Sequence, residues 1–185
     1  MQFQENISLK PYNTFGIDAR ARFFTSFKSV PELRDALVST SKEQPPALIL
    51  GGGSNILFTG NFDGLVLKND IRGIEKVKED EEHVYVRVGA GENWHYLVMH
   101  TLKNEWAGLE NLSLIPGCVG ASPMQNIGAY GVELKEVFHE LTAFHLQEKC
   151  NYTFSLKDCA FGYRESIFKN KYKGQFVIQC YLPAE

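Results

Sequence analysis

The chain reads as short apolar patterns broken by glycine. His83-Val84-Tyr85-Val86-Arg87-Val88 alternates cleanly, which predicts a half-buried strand with its valines on one side. Ala47-Leu48-Ile49-Leu50 is a continuous apolar run, the mark of a buried strand, and Leu65-Val66-Leu67 is another. Residues 1–28 read as extended segments with turns around Pro11 to Gly16. Ser29, Pro31 and Glu32 have capping-box spacing with proline in the first turn, predicting a helix over about 31–43 with Leu33, Ala36 and Leu37 on one face. Trp94, Leu97, Val98, Thr101 and Leu102 recur at helical spacing, with Gly108 past the end. Strands are expected from Val137 to Leu146 and from Gln175 to Leu182, and Ser155 can cap a short helix. With no strict βαβ order, the fold class is α+β. A second unit is expected to begin near residue 70, giving units 1–70 and 71–185.

Composition narrows the function classes. At 185 residues, 44% hydrophobic and 22% charged, the chain has the makeup of an ordinary globular protein. A net charge of −3 gives no broad electrostatic case for nucleic acid or anionic membrane. The one dense charge run, Lys78-Glu79-Asp80-Glu81-Glu82, reads as a solvated turn between strands. The N-terminus carries neither a basic nor an apolar signal region, and no stretch approaches the roughly 20 apolar residues of a membrane helix. Cys118, Cys150, Cys159 and Cys180 form no C-x-x-C pair, which argues against a zinc or dithiol site, and no metal is expected. Reduced thiols suit a cytoplasmic setting.

The chemistry is concentrated in two glycine-dense loops. Gly51-Gly52-Gly53-Ser54-Asn55 follows a predicted strand directly, and consecutive glycines can turn several backbone N–H groups toward one anion. It is neither G-x-G-x-x-G nor G-x-x-x-x-G-K-[ST], so the classical dinucleotide and P-loop readings both fail. The second runs from Ile115 to Gly131, with Pro116 and Pro123 among four glycines and the polar residues Ser122, Gln125, Asn126 and Tyr130. Gln125 and Asn126 read equally as turn-stabilising amides or ligand groups, and Tyr130 equally as a packed aromatic. Irregular backbone needs hydrogen-bond partners, and a large anionic ligand such as a dinucleotide would supply them.

Six segments in order carry a family resemblance: Asn13-Thr14-Phe15-Gly16, Gly51 to Asn55, Gly89 to His95, Gly108 to Leu112, Ile115 to Gly131, and Phe161-Gly162-Tyr163-Arg164-Glu165-Ser166-Ile167-Phe168. In these the chain resembles the N-terminal part of the UDP-N-acetylenolpyruvoylglucosamine reductase family, flavoenzymes of peptidoglycan synthesis. The resemblance implies a two-subdomain FAD-binding fold of the vanillyl-alcohol oxidase / PCMH type, with noncovalent FAD held between the subdomains. By that resemblance Gly52, Gly53, Ser54 and Asn55 hold the pyrophosphate. Ile115, Gly117, Gly120, Ser122, Gln125, Asn126, Gly128, Ala129 and Tyr130 line the rest of the flavin, and Cys118 is a packing residue.

The resemblance further implies that NADPH is the hydride donor and a UDP-sugar the substrate. Arg164 is the expected catalytic arginine, a permanent cation for the substrate carboxylate, with Tyr163 beside it either shaping the substrate site or packing. Ser166 is not the family's proton-donating serine, which belongs to a later motif. That motif and the substrate domain are expected to be missing from this chain, leaving it able to bind FAD but not to turn over. Oligomerisation through surface so exposed is a corollary. Two other readings stay open: a different flavin oxidoreductase of the same fold, and a non-catalytic FAD-binding module.

Overall fold

The structure, a computed structural model, describes residues 2–39 and 46–184, with side chains through residue 178. Chain contacts divide it into two compact units, Met1–Ile71 and Arg72–Glu185, one residue past the expected boundary.

The first unit is a four-stranded sheet with one helix: β1 (Gln4–Ser8), β2 (Arg20–Phe27), α1 (Val30–Ser39), β3 (Ala47–Leu50) and β4 (Phe62–Asn69). The order is β1-β2-β4-β3, with β1 antiparallel to β2 and both other pairings parallel. Helix α1 starts where its cap predicts: Ser29 Oγ accepts from Glu32 N (3.3 Å), while the Glu32 carboxylate reaches back to Lys28 N (2.7 Å). The expected extension to residue 43 lies outside the described residues. Leu9, Ala21, Phe24, Leu50, Phe58 and Val66 form a buried core. Parallel neighbours usually need a helical crossover. Here β3 returns to β4 through residues 51–61, so the glycine triplet leaves from the carboxyl end of a parallel strand, a usual place for ligands in open sheets.

The second unit is a five-stranded antiparallel sheet built from β5 (Ile74–Glu79), β6 (Val84–Val88), β9 (Glu140–His145), β10 (Asn151–Ser155) and β11 (Phe176–Ala184), in the order β10-β9-β11-β6-β5. A two-stranded ribbon, β7 (Gly128–Ala129) with β8 (Val132–Glu133), stands apart from it. As the alternation predicts, Val84, Val86 and Val88 all face the core. Helix α2 (Trp94–Lys103) buries Trp94, Leu97, Val98 and Thr101. Leu102 departs from expectation and is 41% exposed, because it lies off that face. The helix also stops before Gly108. Asn104 closes it, its backbone N–H and its side chain both reaching the His100 carbonyl. The expected strand at 137–146 is shorter, 140–145, because Leu134–Val137 forms a 3-10 turn under a Glu133/Glu136 capping box. Ser155 caps α3 (Leu156–Cys159) as expected, with Asp158 completing the box.

Candidate functional site

In the first unit the glycine loop is seated by the Asn13–Gly16 turn. Asn13 is buried, and its side chain donates to the carbonyls of Leu9 (2.8 Å) and Ile17 (2.9 Å) and accepts from Ile17 N (3.0 Å). That fixes Thr14, whose N–H and hydroxyl both point at the Gly53 carbonyl, at 3.1 and 3.4 Å. Gly53 could be nothing else. Its φ is +66°, and a Cβ there would lie 2.0 Å from the Tyr12 carbonyl oxygen. Among the described residues the N–H groups of Gly52, Gly53 and Asn55 meet no protein acceptor, and Gly52 and Asn55 are exposed. No acidic residue occurs between Gly51 and Phe62. Unspent donors in a segment free of acidic residues suit a phosphate group.

In the second unit the loop from Ile115 to Gly131 is pinned along its first half by the Gly89–His95 segment. Gly120 N donates to the Ala90 carbonyl, Val119 N to that of Glu92, and Trp94 N to that of Gly117, at 2.9, 2.9 and 3.0 Å. The Trp94 indole reaches the Leu112 carbonyl (2.7 Å), and His95 Nδ1 accepts from Leu114 N (3.2 Å). A Cβ at Gly120 would lie 2.6 Å from that of Ala90, so this glycine is required for close packing. Glu92 carries a contact of its own, accepting from Gly73 N (2.9 Å).

The second half of the loop is laced to the Phe161–Phe168 segment. The Asn126 side chain donates to the Gly162 carbonyl (3.0 Å) and accepts from Lys135 N (3.0 Å). Ser166 Oγ donates to the Met124 carbonyl (2.7 Å), and Arg164 Nη2 to that of Gly128 (2.9 Å). Gly162 and Glu165 exchange both backbone hydrogen bonds, so Tyr163 and Arg164 are the tip of a two-residue turn. Arg164 holds φ +53° there, where glycine or asparagine is usual. Among the described residues its guanidinium forms no ion pair. The neighbouring Glu165 is instead held below the usual carboxylate range by Asn170 first and Lys169 second. Glu133, on the ribbon, is held low chiefly by Lys135 Nζ at 2.5 Å, with smaller contributions from Asn126 and Arg164.

The predicted site residues therefore divide. Gly52 and Asn55 present open backbone, while Gly53 is a buried pivot. Ile115, Gly117, Gln125, Gly128 and Ala129 are half-buried, and Tyr130 and Tyr163 are 87% and 84% exposed. The side chains of Ser122 and Asn126 are buried and spent internally, Ser122 Oγ on the Val119 carbonyl (2.7 Å). Ser166, 1% exposed and doubly bonded, is likewise structural. Cys118 is buried, and burial pushes the Cys159 thiol up to about 12. No group of three or more metal-ligating side chains occurs among the described residues, and no helix there is long and apolar enough to cross a membrane. Asn13, His95 and Ser166 stood in the quoted motifs without a role. Their hydrogen bonds supply one.

The chain is 52% identical over 96% of its length to UDP-N-acetylenolpyruvoylglucosamine reductase of Amoebophilus asiaticus, of which it covers 52%, and also 52% identical over 96% to that of Pseudomonas putida, again covering 52%. It thus spans about half the length of the curated relatives it matches. Among solved structures it is similar to UDP-N-acetylenolpyruvylglucosamine reductase of Thermus caldophilus, with a TM-score of 0.74 at 22% identity, covering all of this chain and 62% of that one. It is also similar to p-cresol methylhydroxylase, with a TM-score of 0.62 at 12% identity over 97% of this chain and 37% of that one. Cholesterol oxidase of Brevibacterium sterolicum gives a TM-score of 0.67 at 12% identity, covering all of this chain and 37% of the other. These likenesses establish the vanillyl-alcohol oxidase / PCMH fold. With residues 21–146 matching the FAD binding domain family, the chain belongs to that family.

Proposed function

We propose that this chain is the FAD-binding part of an NADPH-dependent reductase that converts UDP-N-acetylenolpyruvoylglucosamine to UDP-N-acetylmuramate. The observation that carries the reading is Arg164: exposed, strained in its backbone, without an ion-pair partner among the described residues, and hydrogen bonded to a carbonyl of the flavin loop. The identity of about half over nearly the whole chain to reductases of that name points the same way.

FAD fits the donors on offer. The exposed N–H groups of Gly52 and Asn55, with that of Gly53, which likewise meets no protein acceptor among the described residues, and with Ser54, suit its pyrophosphate. Ile115, Gly117, Gly120, Gln125, Gly128, Ala129 and Tyr130 would line the rest, with Ser122 and Asn126 contributing backbone, since their side chains are spent. Bound FAD supplies the redox chemistry, with NADPH as the hydride source. Arg164 would stabilise the negative charge that builds on the substrate carboxylate as hydride reaches the neighbouring alkene. Tyr163, at the same tip, would present its ring to the UDP-sugar. Cys118, Cys150 and Cys159, in no disulfide among the described residues, fit a cytoplasmic setting.

Purified chain should be yellow, or become so with added FAD; colourless protein that takes up none would refute the binding role. Because the relatives are about twice as long, this chain alone should show no NADPH-dependent turnover of the UDP-sugar. In the intact gene product, Arg164→Ala should slow substrate reduction by about a hundredfold or more while sparing flavin reduction by NADPH. Equal loss in both half-reactions would remove Arg164 from the chemistry.

A further inference from the structure

The Tyr163-Arg164 turn should not hold its shape unaided. A non-glycine residue at φ +53° in the second central position costs about 1 kcal/mol or more, and the turn's own closure is only the Gly162–Glu165 pair. Besides the exposed Lys169 Nζ, which donates to the Arg164 carbonyl (2.9 Å), two buried side chains supply restraint. Asn126 is fully buried and sits at φ +43°, a conformation asparagine tolerates better than most residues. Its Oδ1 must accept from the Lys135 N–H, so its amide NH₂ must face the Gly162 carbonyl, the same carbonyl that closes the turn through Glu165 N. At the far end of the turn, Ser166 Oγ donates to the Met124 carbonyl and accepts from Phe168 N. Met124, Asn126 and Gly128, two residues apart on the loop, thus meet Ser166, Gly162 and Arg164 on the turn.

We propose that Asn126 and Ser166 are positioning residues that rivet the Arg164 turn to the flavin loop, so that the Asn126 side chain serves the reaction through Arg164 and not by touching the flavin. The catalytic part rests on the role of Arg164 given above; the riveting itself does not. Three consequences follow from the geometry. Removing either rivet frees the same turn. Keeping the hydroxyl at 166 preserves it. Neither rivet matters to catalysis once the guanidinium is gone.

The test uses the FAD-loaded intact gene product with Asn126→Gly, which keeps the backbone conformation, and Ser166→Ala, Ser166→Thr and Arg164→Ala. Amide exchange at Tyr163 to Glu165 should quicken about tenfold or more in Asn126→Gly and Ser166→Ala and return toward the parent rate in Ser166→Thr, with β9 unaltered. The same two variants should slow substrate reduction about tenfold or more without slowing flavin reduction, and add nothing in the Arg164→Ala background. Unchanged exchange at the turn in both variants overturns the riveting, and so does quickening spread evenly over the unit. Losses that add to that of Arg164→Ala overturn the positioning role. If Arg164→Ala alone leaves substrate reduction intact, the proposed function falls, and the exchange data still decide the rivets.

Discussion

The two glycine loops are held in place by different balances of backbone and side chain. In the first unit, the loop keeps its shape through backbone. Gly53 turns with φ +66° against the Tyr12 carbonyl, and its own carbonyl is held by Thr14. Among the described residues its N–H groups at Gly52, Gly53 and Asn55 meet no protein acceptor. In the second unit the loop is held along its first half by backbone hydrogen bonds to the Gly89–His95 segment, and along its second half by polar side chains. Glycine there serves close approach, as at Gly120 against Ala90. A stretch of open amides suits a diffuse anion, whereas a laced loop suits a surface that must place one side chain exactly, such as Arg164.

That contrast can be broken most directly at Gly53. Gly53→Val should cost about 3 kcal/mol or more, because the added carbons meet backbone that cannot yield and φ is positive. Denaturant titration of the first unit should show the loss, and FAD uptake should disappear with it. A wild-type stability would mean that the turn relaxes freely. Next in size is Asn13→Ala, which strips partners from three backbone groups and should cost about 2–3 kcal/mol by the same titration. A loss well under 1 kcal/mol would show that water replaces the side chain there. Gly120→Ala sharpens the other half of the comparison. Its methyl would crowd that of Ala90, at about 1–3 kcal/mol, and Ala90→Gly in the same chain should recover much of it.

The smallest effect concerns pH. Glu133 is held low chiefly by Lys135, and its carboxylate also accepts from Glu136 N in the capping box. A depressed folded-state pKa contributes stability above the ordinary carboxylate pKa, and that contribution is lost as pH falls through the depressed value. Glu133→Gln should therefore lower the thermal midpoint slightly near about pH 7 and flatten its decline toward about pH 3. An unchanged slope would show that the exposed pair contributes nothing measurable.

Strong periodicity was legible in the residues alone. The valine alternation of β6 and the buried face of α2 follow from pattern, and Ser29 and Ser155 mark their helix starts; the apolar run of β3 does form a strand, but at the sheet edge with only Leu50 buried, not the buried strand it predicts. The edge strands β5 and β10 were not legible. Of β5 only Ile74 is even half-buried, and of β10 only Phe154 is buried, so neither has an apolar face to announce it. Among the described residues each pairs only with its neighbour in the chain across a short turn, β5 with β6 and β10 with β9.

The sequence by itself determined where irregular backbone had to occur. Three consecutive glycines and the stretch from Ile115 to Gly131, with two prolines and four glycines, specify conformations that few other residues adopt, whereas the Tyr163-Arg164 turn puts arginine where glycine or asparagine is usual. Only the tertiary structure decided which polar side chains remain for a ligand. Asn126 and Gln125 are chemically alike and adjacent, yet Asn126 is fully buried with both ends of its amide spent. The reason is geometric. A hydrogen bond forms with whichever carbonyl lies within about 3 Å, and those that claim Asn126 and Ser166 sit 36 and 42 residues away in the chain. No local pattern encodes that meeting; the packing of the second unit does.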